Sequence, residues 1–242
     1  MHSKDKYLQT HLSKQQKSDG TKMSTKNPLK ISSNTAEFVG ILLGDGSISI
    51  RAKGKGQNRI KITFNSSEKQ YIDFVSNLME NITGIKPILK FRKNENTADL
   101  FLFKKEAVEK MLEFGLKLSP KRNSAEVPYE ILNSSFDLDL VRGYFDTDGS
   151  VVITNNNGTI YPRLEMKVCP SPMQTQIPSI LQKYGFRFGI YNCGNGEKRI
   201  QMNGKGQLEK WTNLIGFHNE KHGVKARKMV AGIRFERMAS GL

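Results

Sequence analysis

The 242-residue sequence is poor in cysteine and in long apolar runs, and both shortages exclude classes of protein. Its two cysteines, Cys169 and Cys193, form no CxxC pair, so neither a disulfide framework nor a zinc site is indicated, and a reducing compartment fits. No uninterrupted apolar stretch is long enough to span a bilayer, and none near the N-terminus resembles a signal peptide. We therefore expect an intracellular protein, cytoplasmic or organellar, that has no membrane partner.

Acidic residues are scarce relative to basic ones. The chain has 38 Lys and Arg against 23 Asp and Glu, which gives a formal net charge of +15 and a pI of about 9.8. Because the basic residues are spread over several segments, they favour a polyanion as partner. With a membrane surface disfavoured by the missing apolar segments, nucleic acid is the predicted partner.

What the sequence does contain is one stretch that occurs twice. The segments FVGILLGDGS (38–47) and VRGYFDTDGS (141–150) both run from an apolar helical stretch through an aspartate and a glycine into a hydrophobic strand. Their aspartates, Asp45 and Asp148, lie 103 positions apart, and a second matching pair, Gly115 and Gly216, lies 101 apart. Self-similarity at a fixed spacing predicts one duplicated unit of about a hundred residues.

Hydrophobic periodicity predicts the same element order in both copies, namely helix, two strands, helix, two strands, helix. The strands alternate: in the segment 59–64 the apolar side chains share one face and the basic ones the other, which predicts hairpins with an apolar and a cationic side. The predicted division is a basic N-terminal arm (1–30), an N-terminal half (31–121), a linker (122–137) and a C-terminal half with a basic helical tail (138–242).

The repeated aspartates are electrostatically unusual. A carboxylate at a helix C-terminus is repelled by the partial negative charge of the last carbonyls, so the placement of Asp45 and Asp148 there suggests a cation. Packing of the two helices would bring the aspartates together, where they and the backbone oxygens of Gly44 and Thr147 could share hard divalent ions such as Mg²⁺. Two such ions can support an in-line phosphodiester displacement. The alternative is a plain DG turn, but two copies in matched context favour the metal site.

At these residues the sequence resembles the LAGLIDADG homing endonucleases, in the form that carries two motifs on one chain. Gly40 and Gly143 match the first glycine of the motif, and Gly46 and Gly149 match the last. The small residues through which the two helices could pack side by side are Gly40 and Gly44 in the first copy, against Gly143 and Thr147 in the second. The resemblance implies an α+β fold of two pseudo-symmetric αββαββα halves, each a curved antiparallel four-stranded sheet backed by helices, joined at a two-helix interface. It also implies that Asp45 and Asp148, as the last acid of each motif, bind the catalytic metals. Leu43 replaces the first acid of copy one, whereas Asp146 retains it in copy two and is expected to be structural.

The same resemblance implies further catalytic residues. A lysine in each half is expected near the metal-bound water, and the matching positions are Lys121 and Lys221, which could polarise the scissile phosphate. The alternative for either is a surface lysine at a helix end. Asn65, after the second strand, is expected to join the water network; its counterpart is Cys169, which weakens the analogy, and Lys69 is a further candidate.

The outward strand residues are the expected DNA surface, because a curved sheet can lie along a major groove. The candidates are Arg51, Lys53, Arg59, Lys61, Lys69, Lys90, Arg92, Arg163, Lys167, Arg187, Arg199 and Gln201. Since the two halves differ at these positions, a single chain is expected to prefer an asymmetric DNA site.

The predicted function is a monomeric, Mg²⁺-dependent, site-specific endonuclease that cuts both strands of a long DNA target and promotes the mobility of its own coding element. Two alternatives stay open, an RNA splicing maturase, which would add intron RNA as a partner, and a non-cleaving DNA-binding regulator. An intein-embedded nuclease is a third, although the lack of recognisable splicing-domain flanks favours an intron-encoded protein.

Overall fold

The structure is a computed structural model that describes residues 30–51, 57–157 and 159–239. Of the predicted N-terminal arm only Lys30 is described, and Lys53 also lies outside the described residues. Within these ranges, no helix is both long and apolar enough to cross a bilayer.

The first half follows the predicted element order. It contains α1 (Ser33–Leu43), β1 (Gly46–Ser49), β2 (Arg59–Asn65), α2 (Lys69–Thr83), β3 (Ile88–Phe91), β4 (Thr97–Leu102) and α3 (Lys105–Glu113). Ser32 caps α1 by accepting a hydrogen bond from the backbone N–H of Thr35 at 3.2 Å. Gly84 ends α2 in the left-handed conformation, at φ 71°, which glycine adopts without steric cost.

The linker is more ordered than predicted. Within the predicted linker, one helical turn, α4 (Tyr129–Leu132), directly follows Pro128. The turn forms because Ile131 is fully buried in the core, which offsets the cost of ordering four residues. Proline is well placed just before a helix, since its missing N–H would have had no partner there.

The second half repeats the order of the first. It contains α5 (Asp137–Asp148), β5 (Gly149–Asn156), β6 (Thr159–Val168), α6 (Met173–Lys183), β7 (Gly189–Asn192), β8 (Lys198–Asn203), α7 (Lys205–Leu214) and α8 (Glu220–Ala239). Each half forms one antiparallel four-stranded sheet, with strand orders β1-β2-β4-β3 and β5-β6-β8-β7. The two matching sheets with their helices confirm the predicted α+β architecture.

Strand register separates the core from the outer face. In β2, Ile60 and Ile62 are fully buried and pair with buried residues of β4, whereas Lys61 between them points to the opposite face beside Phe101. Ile50 has the strand spacing of the buried Ile48, but pairing of β1 with β2 stops at Ser49, and Ile50 is 45% exposed. In β6 the alternation holds, since Leu164, Met166 and Val168 are buried and the residues between them are not.

Candidate active site

The two motif helices, α1 and α5, pack against each other backbone to backbone. A methyl group at Gly40 would lie 2.1 Å from the carbonyl oxygen of Leu140, and one at Gly143 would lie 2.1 Å from the carbonyl oxygen of Glu37. Both distances are far shorter than any carbon–oxygen contact, so only glycine permits this approach. The predicted packing through small residues is therefore present in the structure.

This packing brings the ends of the two helices together. A methyl group at Gly44, the residue before Asp45, would lie 3.3 Å from Oδ2 of Asp148. Both aspartates keep access to solvent, yet desolvation by the surrounding protein is the main cause that raises the pKa of Asp148 to about 7, and the negative charge of Asp45 adds to it. Desolvation likewise raises the pKa of Asp45. Two desolvated carboxylates, one of which the negative charge of the other makes harder to ionise, favour a cation between them.

The available ligand atoms fit a hard divalent ion. The aspartates and the backbone carbonyls at the helix ends are all oxygen donors, as Mg²⁺ requires. Among the described residues, no group of three or more His, Cys, Asp or Glu side chains is placed to hold a metal. Water and substrate phosphate would therefore have to complete the coordination, which is usual for Mg²⁺.

Lys121 lies directly at the end of α1. Its Nζ donates hydrogen bonds to the carbonyl oxygens of Leu42 at 2.6 Å and Gly46 at 2.9 Å, and also to that of Gly44. Burial lowers the pKa of Lys121 to about 8, opposed by the charges of Asp148 and Asp45. The ammonium group thus neutralises the negative end of the α1 dipole.

These contacts qualify the predicted backbone ligands. The carbonyl of Gly44 already accepts from Lys121, so a metal there would share it with the ammonium group. The hydroxyl of Thr147 donates to the carbonyl oxygen of Tyr144 at 2.9 Å, which leaves the backbone oxygen of Thr147 as its predicted ligand atom. Metal binding by Gly44 and Thr147 stays a prediction.

Lys221 has a partner that the sequence did not reveal. Its Nζ lies 3.0 Å from Oε1 of Glu68, whose Oε2 accepts from the side-chain amide of Asn219 at 3.3 Å. The charge of Lys221 lowers the pKa of Asp45 and that of Glu68 raises it, so both groups act on Asp45, although desolvation dominates. No local pattern marks Glu68, because the contact joins residues 153 positions apart.

Asn65 and Lys69 lie on the same side as Lys221. The three line an open cavity of about 590 Å³ together with Glu68 and Asn219. The side-chain oxygen of Asn65 accepts hydrogen bonds from the backbone N–H and the hydroxyl of Ser67, at 3.0 and 2.8 Å. The structure thus brings Asn65, Lys69 and Lys221 together, and their catalytic roles remain predictions.

Asp146 is buried and holds neighbouring backbone, which agrees with the structural role expected for it from the sequence. It is 1% exposed, and its Oδ2 accepts from the backbone N–H groups of His218 at 2.8 Å and Asn219 at 3.1 Å. Burial raises the pKa of Asp146 to about 7, against these hydrogen bonds. The contacts fix the start of the segment that carries Lys221.

A buried ionic cluster joins the two motif helices behind the site. Glu37 in α1, 1% exposed, accepts from Nη2 of Arg142 in α5 at 2.7 Å and contacts Nδ1 of His218 at 2.5 Å. Burial acts to raise the pKa of Glu37, but the hydrogen bonds with His218 and Arg142 outweigh it and the pKa is lowered. Sequence reasoning missed this cluster, although an acid inside an otherwise apolar helix was a usable signal.

The predicted DNA-binding residues of the strands share the outward faces of the two sheets. Register places Lys61 beside Phe101 and Lys90 beside Asp99 in the first sheet, and Lys167 beside Arg199 in the second. Several of these charges are paired within the protein: Arg92 binds Asp99 at 2.7 Å and Arg163 binds Glu165 at 3.0 Å. Arg187 was predicted within a strand but precedes β7, which begins at Gly189.

Apolar side chains on these faces were not predicted as DNA contacts. On the edge strands β3 and β7, Ile88 pairs with Phe101 and Tyr191 pairs with Arg199, and each of the two side chains is 50% exposed. Phe101, on β4, has the cations of Lys90 and Arg59 about 6 Å from its ring centre, at 5.8 and 6.0 Å. The outer faces are therefore mixed basic and aromatic surfaces.

Comparison with known sequences identifies relatives of this arrangement. The profile of the LAGLIDADG DNA endonuclease family matches residues 37–135. The DNA polymerase of Thermococcus kodakarensis is 25% identical over 212 residues, which are 81% of this chain and 12% of that protein. The DNA polymerase of Methanocaldococcus jannaschii is 24% identical over 200 residues, 75% of this chain and 11% of that protein. The chain thus spans about an eighth to a ninth of the length of these curated relatives.

Comparison with solved structures covers both halves. The LAGLIDADG homing endonuclease I-LtrWI bound to target DNA matches 86% of this chain and 91% of its own, with a TM-score of 0.59 and 12% identity. I-DmoI in complex with DNA and Mn matches 77% of this chain and 98% of its own, with a TM-score of 0.55 and 17% identity. I-DmoI has also been solved with DNA and Ca. These likenesses establish a shared two-domain, single-chain fold.

Proposed function

We propose that this chain, which belongs to the LAGLIDADG family in its two-motif, single-chain form, is a site-specific endonuclease that cuts both strands of a long, asymmetric DNA target. The observation that carries the proposal is the convergence of Asp45 and Asp148 at the ends of two glycine-packed helices. Two acids beside helix ends, both with a pKa raised by desolvation, are the expected oxygen ligands of a divalent ion.

Each residue of the site has a proposed role in hydrolysis. Asp45 and Asp148 would hold divalent ions, which when bound supply Lewis-acid activation of water and stabilise the leaving oxygen. Lys121 and Lys221 bring positive charge to a phosphate beside the acids, and Asn65 orients water within the cavity it lines. Mg²⁺ is the proposed ion because all the ligands are hard oxygen atoms; the relative I-DmoI was solved with Mn and with Ca.

The DNA would bind across the outward faces of the two sheets. These faces carry the predicted basic residues, and exposed aromatic rings lie among them. Basic groups paired with acids inside the protein, such as Arg92 with Asp99, are pre-oriented for contact with bases or phosphates. Because the two sheets differ in sequence, we propose that a monomer recognises an asymmetric target.

The test uses a supercoiled plasmid that carries the sequences flanking the coding element, joined without it. Wild type should cut it with Mg²⁺ and not with EDTA. Asp45→Asn and Asp148→Asn should each reduce cleavage more than about 100-fold, beyond the 10–100-fold that loss of an outer-shell metal partner costs, and DNA affinity should stay within a few fold. Asp73→Asn, at an exposed position of α2, is the matched control and should cut normally. Undiminished cutting by either site variant would disprove the assigned roles.

One observation favours an origin other than an intron. The similarity takes in 81% of this chain but only 12% of the Thermococcus kodakarensis polymerase. This pattern is expected if a nuclease unit of this kind is embedded in a larger, unrelated protein. The reading frame around the gene tests the point, since an embedded unit continues in frame into host-protein sequence on both sides, whereas an intron-encoded reading frame ends within the intron.

The residues of the site do not favour the two non-cleaving alternatives, a DNA-binding regulator and a maturase without nuclease activity. Both acids and both lysines are kept at the paired helix ends, whereas a DNA-binding regulator or a maturase without nuclease activity has no need of them. A splicing assay with intron RNA and the Asp148→Asn variant would separate the activities, because a maturase role should survive loss of the metal ligand.

A further inference from the structure

The two predicted catalytic lysines reach the site by equivalent routes. Lys121 lies after α3, the helix that follows the first sheet, and Lys221 lies after α7, the helix that follows the second. Each segment contacts a loop of the opposite half, the loop β6–α6 in the first case and the loop β2–α2 in the second. The backbone N–H of Asn123, near Lys121, donates to the carbonyl oxygen of Pro170 at 2.6 Å. The amide of Asn219, near Lys221, donates to Glu68 at 3.3 Å. The crossing contact is therefore present twice.

The two loops differ in the residue that immediately precedes the next helix. Glu68 immediately precedes α2, and Pro172 holds the equivalent position before α6. The side chain of Glu68 is 13% exposed and forms the ion pair with Lys221 at 3.0 Å. Proline carries no charge, and Lys121, among the described residues, donates to three backbone carbonyls and to no carboxylate.

The ion pair is held in place by further contacts. Asn219 is 1% exposed and ties Glu68 to α5, because its side-chain amide also donates to the carbonyl oxygen of Asp146 at 3.0 Å. Its side-chain oxygen accepts from the backbone N–H of Lys221 at 3.1 Å. Asn219 thus contacts both the side chain of Glu68 and the backbone of Lys221. Forming this ion pair therefore costs less conformational entropy than forming one between two freely moving surface side chains.

Lys221, which is held by a carboxylate, and Lys121, which is held by backbone carbonyls, should not interact equally well with a phosphate. A phosphate that approaches Lys221 must compete with the carboxylate of Glu68 for the same ammonium group, and it also meets the negative charge of that carboxylate. A phosphate that approaches Lys121 meets an ammonium group that donates to three neutral carbonyls and is hydrogen-bonded to no carboxylate, although the charges of Asp148 and Asp45 act on it from nearby. The two halves of the site are therefore chemically unequal although their folds match.

We propose that Glu68 is a positioning residue that holds Lys221 in an ion pair, so that the enzyme cuts its two DNA strands in a fixed order. The strand whose scissile phosphate lies beside Lys121 is cut first. The inference rests on the proposed nuclease function. It names no new reaction, since both steps are the same phosphodiester hydrolysis, and it assigns to Glu68 the delay of the second step.

The test follows nicked and linear products from the supercoiled target plasmid. Wild type should accumulate nicked circles before linear product. Glu68→Gln, which keeps the size of the side chain and its contact with Asn219, should raise the second-step rate about 2- to 5-fold, as an ion pair of this exposure allows, and leave the first step within 2-fold. Glu68→Asp should restore the wild-type ratio. Glu220→Gln is the matched control, because Glu220 lines the same cavity but pairs with Arg227 at 2.5 Å.

Strand-specific end labels provide a second measurement. Lys121→Met should slow cleavage of the first strand and Lys221→Met that of the second, each at least tenfold. If both variants spare the same strand, or if Glu68→Gln leaves the ratio of nicked to linear product unchanged in a folded protein that cuts, the inference is wrong and the proposed function stands. If wild type cuts no DNA with Mg²⁺, both are wrong.

Discussion

The glycine pair at the helix interface gives a direct test of how the fold creates the site. In Gly143→Ala the new methyl carbon would lie 2.1 Å from the carbonyl oxygen of Glu37, and the ordinary carbon–oxygen separation is about 3.3 Å, so α1 and α5 must part locally by roughly 1 Å. The obstacle is backbone and cannot rotate away. We expect a loss of about 3 kcal/mol in the free energy of unfolding, the upper end of the range for overpacked cores.

The same displacement should impair catalysis, because misplacement of catalytic groups by about 1 Å can cost about 100-fold in rate. The assays are urea denaturation and plasmid cleavage at a temperature where the variant is folded. Gly206→Ala is the control: Gly206 lies in α7 with no atom near the position of an added methyl group, so the change should be neutral or stabilise by up to about 1 kcal/mol. If Gly143→Ala loses less than about 1 kcal/mol and cuts within 3-fold of wild type, close packing does not set the geometry of the acids.

Three further changes test the charges around the interface. Arg142→Met leaves Glu37 buried without its guanidinium partner and should lower the free energy of unfolding by about 3–5 kcal/mol at pH 7. Because its partners lower the pKa of Glu37, their stabilising contribution is present above pH 4.5 and is lost as the pH falls through the folded-state pKa. The denaturation curves of variant and wild type should therefore converge in acid. DNA affinity should fall about 10³–10⁵-fold between 50 and 200 mM salt if six to ten phosphates are neutralised, and an affinity that does not change with salt would show that the basic faces do not bind DNA. Lys121→Met removes the counter-charge of two acids, so Mg²⁺ should raise its melting temperature more than that of wild type; an equal rise would contradict the role of Lys121.

Much of the fold could be predicted because its signals are local. Alternation of Ile60, Lys61 and Ile62 is a property of consecutive residues, and it placed these side chains on the correct faces of β2. Duplication added a long-range constraint that periodicity alone lacks, since two matched glycine positions, Gly40 and Gly143, imply two helices that meet.

The remaining features depend on contacts between distant residues, and no local pattern encodes them. Glu68 has the sequence context of an ordinary residue before a helix, and its importance arises only when Lys221, 153 positions later, folds beside it. Lys121 could be placed near the acids by resemblance, but its hydrogen bonds to the carbonyls at the end of α1 depend on the course of residues 114–121. The end of β1 before Ile50 follows from where its partner strand stops.

Duplication and divergence act on different parts of this molecule. The backbone interface must stay symmetric, because Gly40 and Gly143 each accommodate the other helix and a side chain at either position would separate both acids. Charges around that interface are free to diverge, since Glu68 faces Lys221 where Pro172 stands in the other half. A symmetric backbone thus holds two equivalent acids, the proposed metal ligands, while we propose that unsymmetric side chains decide how each half acts on its DNA strand. A two-fold symmetric homodimer would have to repeat any such difference in both halves, so a single chain is the simplest way to combine one paired site with two unequal strands.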